Sequence, residues 1–229
     1  MPTINANKVG LGSVSNQTSH SNARNATSGL AATGPTGTQS GAEYSAVSSG
    51  RGIAYGIKRT FLSFDVSSVS TTPSAASVIV AAPSGRVASI ATILVPSTAF
   101  SGGNSNLASS DFNNISFNTT YNTGLSSWVT GNNTFTLASS ALSAIGSSNY
   151  FICAILQKDN DYDNVALSSK QLNTLAASFD FSTTITLDYT AGSSGGPTNV
   201  GNINLVKANV IANVGFVSYS NIDEINGVN

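Results

Sequence analysis

The densest run of ionisable side chains is Lys158-Asp159-Asn160-Asp161-Tyr162-Asp163-Asn164. Its carboxylates, Asp159, Asp161 and Asp163, stand at alternate positions and could converge on a hard cation such as Ca²⁺, which takes about 6–8 oxygen ligands. The run opens like an EF-hand loop and then departs from it. Asn164 stands at the sixth position, where that loop needs Gly, and Lys170 at the twelfth, where it needs Glu. Ca²⁺ is the one candidate ion. The alternative is a solvated loop, in which all three Asp could become Asn without harm to the fold. Acid–base chemistry on a glycoside needs two carboxylates roughly 5–9.5 Å apart. Asp65, Asp111, Asp180 and Asp188 are available, but no spacing pairs any two of them. His20 is the only histidine, so a Ser-His-Asp triad or a multi-histidine metal site lacks its parts. Tyr121, Trp128 and Tyr162 fall in segments with loop composition. Exposed rings there would stack on sugars, and the alternative, preferred for Trp128, is packing at the edge of a core.

These residues hang on segments that read as strands. In Thr60-Phe61-Leu62-Ser63-Phe64-Asp65-Val66, Leu62, Phe64 and Val66 share one face, and Ser63 and Asp65 take the other. Ser77–Ala81 and Ile90–Val95 are short β-branched runs separated by the turn Pro83-Ser84-Gly85. Asn133–Leu137 alternates, and so does Thr183–Tyr189. Tyr150–Leu156 is continuously apolar, as in a strand covered on both faces, and it carries Cys153 as a buried, inert thiol. Ser139–Ile145, ended by Gly146, is the helix candidate. Gly50–Gly56 is Gly-rich but lacks the strand and helix that flank a phosphate loop, so it reads as a turn. The pattern predicts an all-β fold, an antiparallel β-sandwich or jelly roll, over residues 51–190, with Leu62, Phe64, Val66, Ile152, Ile155, Ile185 and Leu187 buried.

The composition is unusual in its polar half. The chain has 38 Ser, 23 Thr and 25 Asn against 19 charged residues, 8% of its length, where about 25% is typical. Such a surface repels little and suits permanent packing against neighbours or contact with neutral sugars. A net charge of −1 gives no electrostatic reason to bind nucleic acid or an anionic membrane. One cysteine excludes an intrachain disulfide. The chain opens Met1-Pro2-Thr3-Ile4-Asn5 without an apolar leader, which predicts synthesis in a cytoplasm with no secretory signal.

Residues 1–50 are rich in Ser, Thr, Asn, Gly and Ala and read as an extended polar arm held by partner chains. Residues 191–200 read as a Gly/Ser linker. The tail, 201–229, carries Ile203, Leu205, Val210, Ile211, Val214, Phe216, Ile222, Ile225 and Val228. It is too apolar for free solution and too short for a core of its own, which predicts an anchoring segment.

Arg59-Thr60-Phe61-Leu62-Ser63-Phe64-Asp65-Val66-Ser67 resembles the Arg-x-x-Leu-x-Phe-Asp-Leu-Ser core of the disaggregatase-related β-sandwich domains, jelly rolls similar to carbohydrate-binding modules. The strand pair 77–95, the helix at 139–145 and the closing Leu187-Asp188-Tyr189-Thr190 match that family in order, over about residues 20–190. Trp128 matches its tryptophan-centred stretch poorly. The tail segment Ser220-Asn221-Ile222-Asp223-Glu224-Ile225-Asn226-Gly227-Val228 is similar to segments of bacteriophage virion proteins. Together these resemblances imply a non-enzymatic structural protein of a phage particle: a head decoration, head fibre, or tail or fibre component located in the virion. Its expected partners are copies of itself and capsid or tail proteins, with a cell-surface glycan as a further contact. A free carbohydrate-binding module or adhesin is the alternative.

Overall fold

The alternation at Leu62 and Phe64 belongs to a fourteen-residue strand, Gly52–Asp65, that forms the spine of the molecule. The computed structural model describes residues 1–50, 52–84, 90–166 and 173–192. The expected linker beyond Gly192 and the whole tail, with Ile203, Leu205, Val210, Ile211, Val214, Phe216, Ile222, Ile225 and Val228, lie outside the described residues.

The strands are β1 (Thr3–Gln17), β2 (Leu30–Thr33), β3 (Thr38–Ser49), β4 (Gly52–Asp65), β5 (Ala75–Ala82), β6 (Thr92–Pro96), β7 (Gly131–Thr136), β8 (Tyr150–Gln157), β9 (Asn173–Asp180) and β10 (Thr186–Thr190). Two helices, α1 (His20–Arg24) and α2 (Ser139–Ser147), interrupt them. Their pairings run in the order β6-β8-β4-β1-β10-β5-β7, with β2 added to β1, and β3 joining β4 to β9. The pairings between these strands are antiparallel. The result is the expected all-β sandwich, its sheet closed nearly into a barrel.

The first fifty residues are not an arm. Strand β1 pairs with β10 through Thr3–Asn5 and with β4 from Ala6 to Gln17, so it stitches the two sheets together. The switch falls at a register shift between Ala6 and Lys8, where the extra residue Asn7 bends the strand from one sheet into the other. Composition hid this strand because its interior positions are small. Gly10 and Gly12 are buried, and a Cβ there would meet Leu107 Cδ2 at 2.8 Å and Phe61 Cε2 at 2.9 Å. Strand β3 is similar: Gly41, Ala42, Tyr44 and Ala46 are its buried positions, and the rest is polar apart from the exposed Val47. The turn expected over Gly50–Gly56 is, from Gly52 onward, the start of β4, with Ile53–Ile57 paired to β3.

The main core lies between the sheets. Leu62 and Phe64 meet Val78, Val80, Phe135, Phe179 and Leu187 there, all without solvent exposure. Strand β4 is buried on its other face as well, where Phe61 joins Val95, Phe100, Ala154 and Leu156 in a second cluster. Ser63 is buried on that side and donates to Gly103 O at 2.7 Å, while Asp65 faces solvent. The apolar run of β8 has the anticipated reason. It sits between β4 and β6, with Cys153 and Ile155 in the main core and Ala154 and Leu156 in the second. Ile152 is only half-buried, packed against the second cluster. Burial raises the Cys153 thiol pKa far above its usual value.

Candidate functional site

The three aspartates do not converge. Residues Lys158–Tyr162 form a single π turn that caps β8. The Gln157 side chain organises it, its Oε1 accepting from Asn160 N at 2.5 Å. This turn aims the carboxylates apart. Asp159 is exposed, Asp163 accepts from Lys158 Nζ at 2.5 Å, and Asp161 has no exposed side-chain surface at all. Among the described residues no three acidic, histidine or cysteine side chains gather as metal ligands. Asp161 is held instead by Arg59, which donates from Nε to Oδ2 at 2.8 Å and from Nη2 to Oδ1 at 2.6 Å. Both ends of this bidentate pair are fully buried. The Ca²⁺ expectation therefore fails on geometry: the central carboxylate already has a guanidinium on both oxygens.

The pair closes a larger polar clasp. Arg59 also donates to Phe112 O at 2.7 Å and to Arg24 O at 2.8 Å. Arg24, at the end of α1, donates to Asp161 O at 2.6 Å and Tyr162 O at 3.2 Å, and its guanidinium lies 3.7 Å over the Phe117 ring. His20 Nε2 stands 2.7 Å from Asn160 O, and because a carbonyl only accepts, that nitrogen carries the proton. The lone histidine and the densest charged run are thus one structural junction joining α1, β4 and the turn after β8. The sequence signal for it was Arg59 itself, a charged residue placed between Ile57 and Phe61, both fully buried in their strand. A buried arginine there requires an anionic partner.

The four remaining candidate carboxylates are each engaged locally. Asp65 Oδ1 accepts from the Ser67 hydroxyl at 2.6 Å, and Asp188 Oδ1 from the Thr3 hydroxyl at 2.7 Å. Asp180 Oδ1 accepts from Ser182, and Asp111 Oδ2 from Phe100 N and Ala108 N at 3.1 and 2.9 Å. The hydrogen bonds from Ser67 and Ser182, through hydroxyl and backbone amide, hold Asp65 and Asp180 below the usual carboxylate pKa.

The three aromatic residues do not form an exposed platform. Trp128 is 2% exposed, stacked on Phe179 with centroids 4.7 Å apart, and its Nε1 donates to Thr92 Oγ1 at 3.2 Å. Tyr162 is half-buried against Phe117, beside the second cluster. Tyr121 is buried, its ring 5.0 Å from that of Phe151. Burial, and then the proximity of Cys153, push its phenol pKa up to about 12.

Tyr121 does reach one surface feature. It lines an open depression of about 550 Å³ together with Phe151 and Ile152 of β8. Ser97, Thr98 and Gly102 line it too, as do Ala144, Ser148, Asn149 and Tyr150, from α2 and the start of β8. None of these ten residues carries a charge at neutral pH. A second depression, about 290 Å³, shares Ser97 and Thr98 and adds Asn113, Asn114 and Ser116. Four consecutive residues beside the depression have left-handed backbone: Phe100 (φ 59°), Ser101 (φ 50°), Gly102 (φ 86°) and Gly103 (φ 148°). The two non-glycine members are strained, at a cost of about 1–3 kcal/mol each. Burial of the Phe100 ring, the Asp111 contact to Phe100 N and the Ser63 contact to Gly103 O hold the run in place. Gly103 has no alternative, since a Cβ would lie 2.2 Å from Tyr150 Cγ.

No protein-family model matches the chain, and no curated protein matches it significantly in sequence.

Proposed function

We propose that this chain is a structural, non-catalytic subunit of a bacteriophage particle: a head decoration, head fibre, or tail or fibre component. It presents the sandwich of residues 1–192 and is anchored to copies of itself and to capsid or tail proteins through residues 201–229. The observation that carries this reading is where the charge lies. Of 19 charged residues, Arg59, Asp161 and Asp111 are buried, and Arg24 is half-buried on the same internal junction. Serine, threonine and asparagine are left as the main surface groups, and a surface of that kind offers neighbours little electrostatic repulsion. The apolar residues of the tail follow β10, the last strand of the sandwich, and supply a means of attachment.

The test compares the full chain with a variant in which Val210, Ile211, Val214 and Phe216 are replaced by Ser. Sedimentation velocity should show the full chain self-associating and the variant monomeric, with unchanged far-UV circular dichroism. In purified particles the protein should occur in many copies. A full chain that stays monomeric, is absent from particles and binds glycans alone would support the carbohydrate-binding-module alternative instead.

A further inference from the structure

We propose that the depression between Ser97–Gly102 and Ser148–Tyr150 is a binding site for a neutral saccharide, with the adjoining depression across Thr98 taking a further sugar ring. The argument rests on which groups are on offer. Thr98, Ser148 and Asn149 are exposed, and their side chains make no hydrogen bond to any described residue. They therefore present hydroxyl and amide donors and acceptors to whatever enters. Tyr150, half-buried, supplies aromatic surface among those polar groups, over a floor made by the buried Tyr121 and Phe151. One ring for the apolar face of a sugar, with neutral amides and hydroxyls for its hydroxyls, supplies both halves of carbohydrate recognition.

The same inventory argues against other ligands. A phosphate, sulfate or carboxylate would find no Lys, Arg or His among the residues lining either depression. An apolar ligand would leave the polar groups on both walls without partners. The wall is also set before a ligand arrives. The left-handed run from Phe100 to Gly103 is pinned from beneath by Asp111 and Ser63, and Gly103 packs against Tyr150. A rigid wall lowers the ordering cost of binding. Sharing of Ser97 and Thr98 by the two depressions favours an oligosaccharide over a single ring.

The experiment uses the full chain, fluorescently labelled, on an array of neutral gluco-, galacto-, manno- and chito-oligosaccharides, with sialylated and sulfated glycans alongside. The best neutral binder then goes to calorimetric titration. Binding to neutral glycans alone is expected. Asn149→Ala should weaken it about five- to tenfold, the effect of losing one hydrogen bond. Ser148→Trp should abolish it with the melting temperature unchanged, because Ser148 is exposed. Three results would overturn the proposal: no neutral glycan bound, acidic glycans bound in preference, or wild-type affinity in Ser148→Trp. So would loss of self-association in Ser148→Trp, because the depression would then be a protein contact. The outcome is separable from particle membership, which is tested through residues 210–216. A chain that assembles but binds no sugar refutes this site alone.

Discussion

Asp161 and Asp163 lie two positions apart and should behave as different kinds of residue. Asp161 is fully buried on Arg59, and removing one partner leaves the other charge uncompensated in the interior. Asp161→Asn is expected to lower the unfolding free energy by about 3–5 kcal/mol. Asp163→Asn, which removes a partly exposed contact with Lys158, should cost less than about 1 kcal/mol. Denaturant melts of the two variants check this, and equal effects would count against the buried junction. The view of this run as a loop indifferent to Asn replacement fails for its middle member alone. A second expectation concerns acid. The folded pKa of Asp65 and of Asp180 is depressed, so their stabilising effect is present above the unfolded carboxylate pKa of about 3.9 and disappears as pH falls through the folded value. The difference in melting temperature between wild type and Asp65→Asn or Asp180→Asn should therefore be visible at neutral pH and vanish in strong acid.

Strand β1 is the element that most changes the reading of the chain. Its amides from Lys8 to Val14 should exchange with solvent as slowly as those of β4, to which they are paired. Exchange within seconds would return residues 1–17 to the status of an arm. Strand β3 makes a parallel prediction. A Cβ on Gly41 would fall 2.0 Å from Phe179 Cδ2, so Gly41→Ala should destabilise by about 1–3 kcal/mol in a thermal melt. Strands β4, β5, β6 and β8 were legible because large apolar residues recur in them with period 2 or without a break. Strands β1 and β3 were not, because several of their inward positions, Gly10, Gly12, Gly41, Ala42 and Ala46, are small where another element approaches closely, and such residues also make up disordered segments. The exposed-ring reading of Tyr121 and Tyr162 failed for a related reason, whereas Trp128 packs on the core, the alternative preferred for it. Trp128 lies in a segment without regular structure that nevertheless covers the core, and loop composition does not reveal which way a ring turns. The depression at Tyr121 was invisible because Ser97, Ser148 and Tyr150 come together only through the pairing of β6 with β8.

At the scale of the molecule, residues 1–192 constitute one unit. Removal of residues 197–229 is expected to leave its melting transition in place, which differential scanning calorimetry can check; a chain that no longer folds would show that the sandwich depends on its tail. The same unit ends almost where it begins, since Thr3 is paired with Asp188. That adjacency sets an order of events during synthesis. Strand β1 leaves the ribosome before the other strands of the sandwich and can pair with β4 early, but its Thr3–Asn5 edge has no partner until β10 is made. At about 5–20 residues per second, translation from the end of β4 at Asp65 to Thr190 takes roughly 6–25 s. For that interval the nascent sheet carries an open edge next to an unfinished core, a state prone to pairing with other nascent chains. Five residues, Thr186–Thr190, then close β1 on one side and β5 on the other. Strand β10 is therefore a latch, and a chain stalled before it would be an aggregation hazard rather than a smaller sandwich.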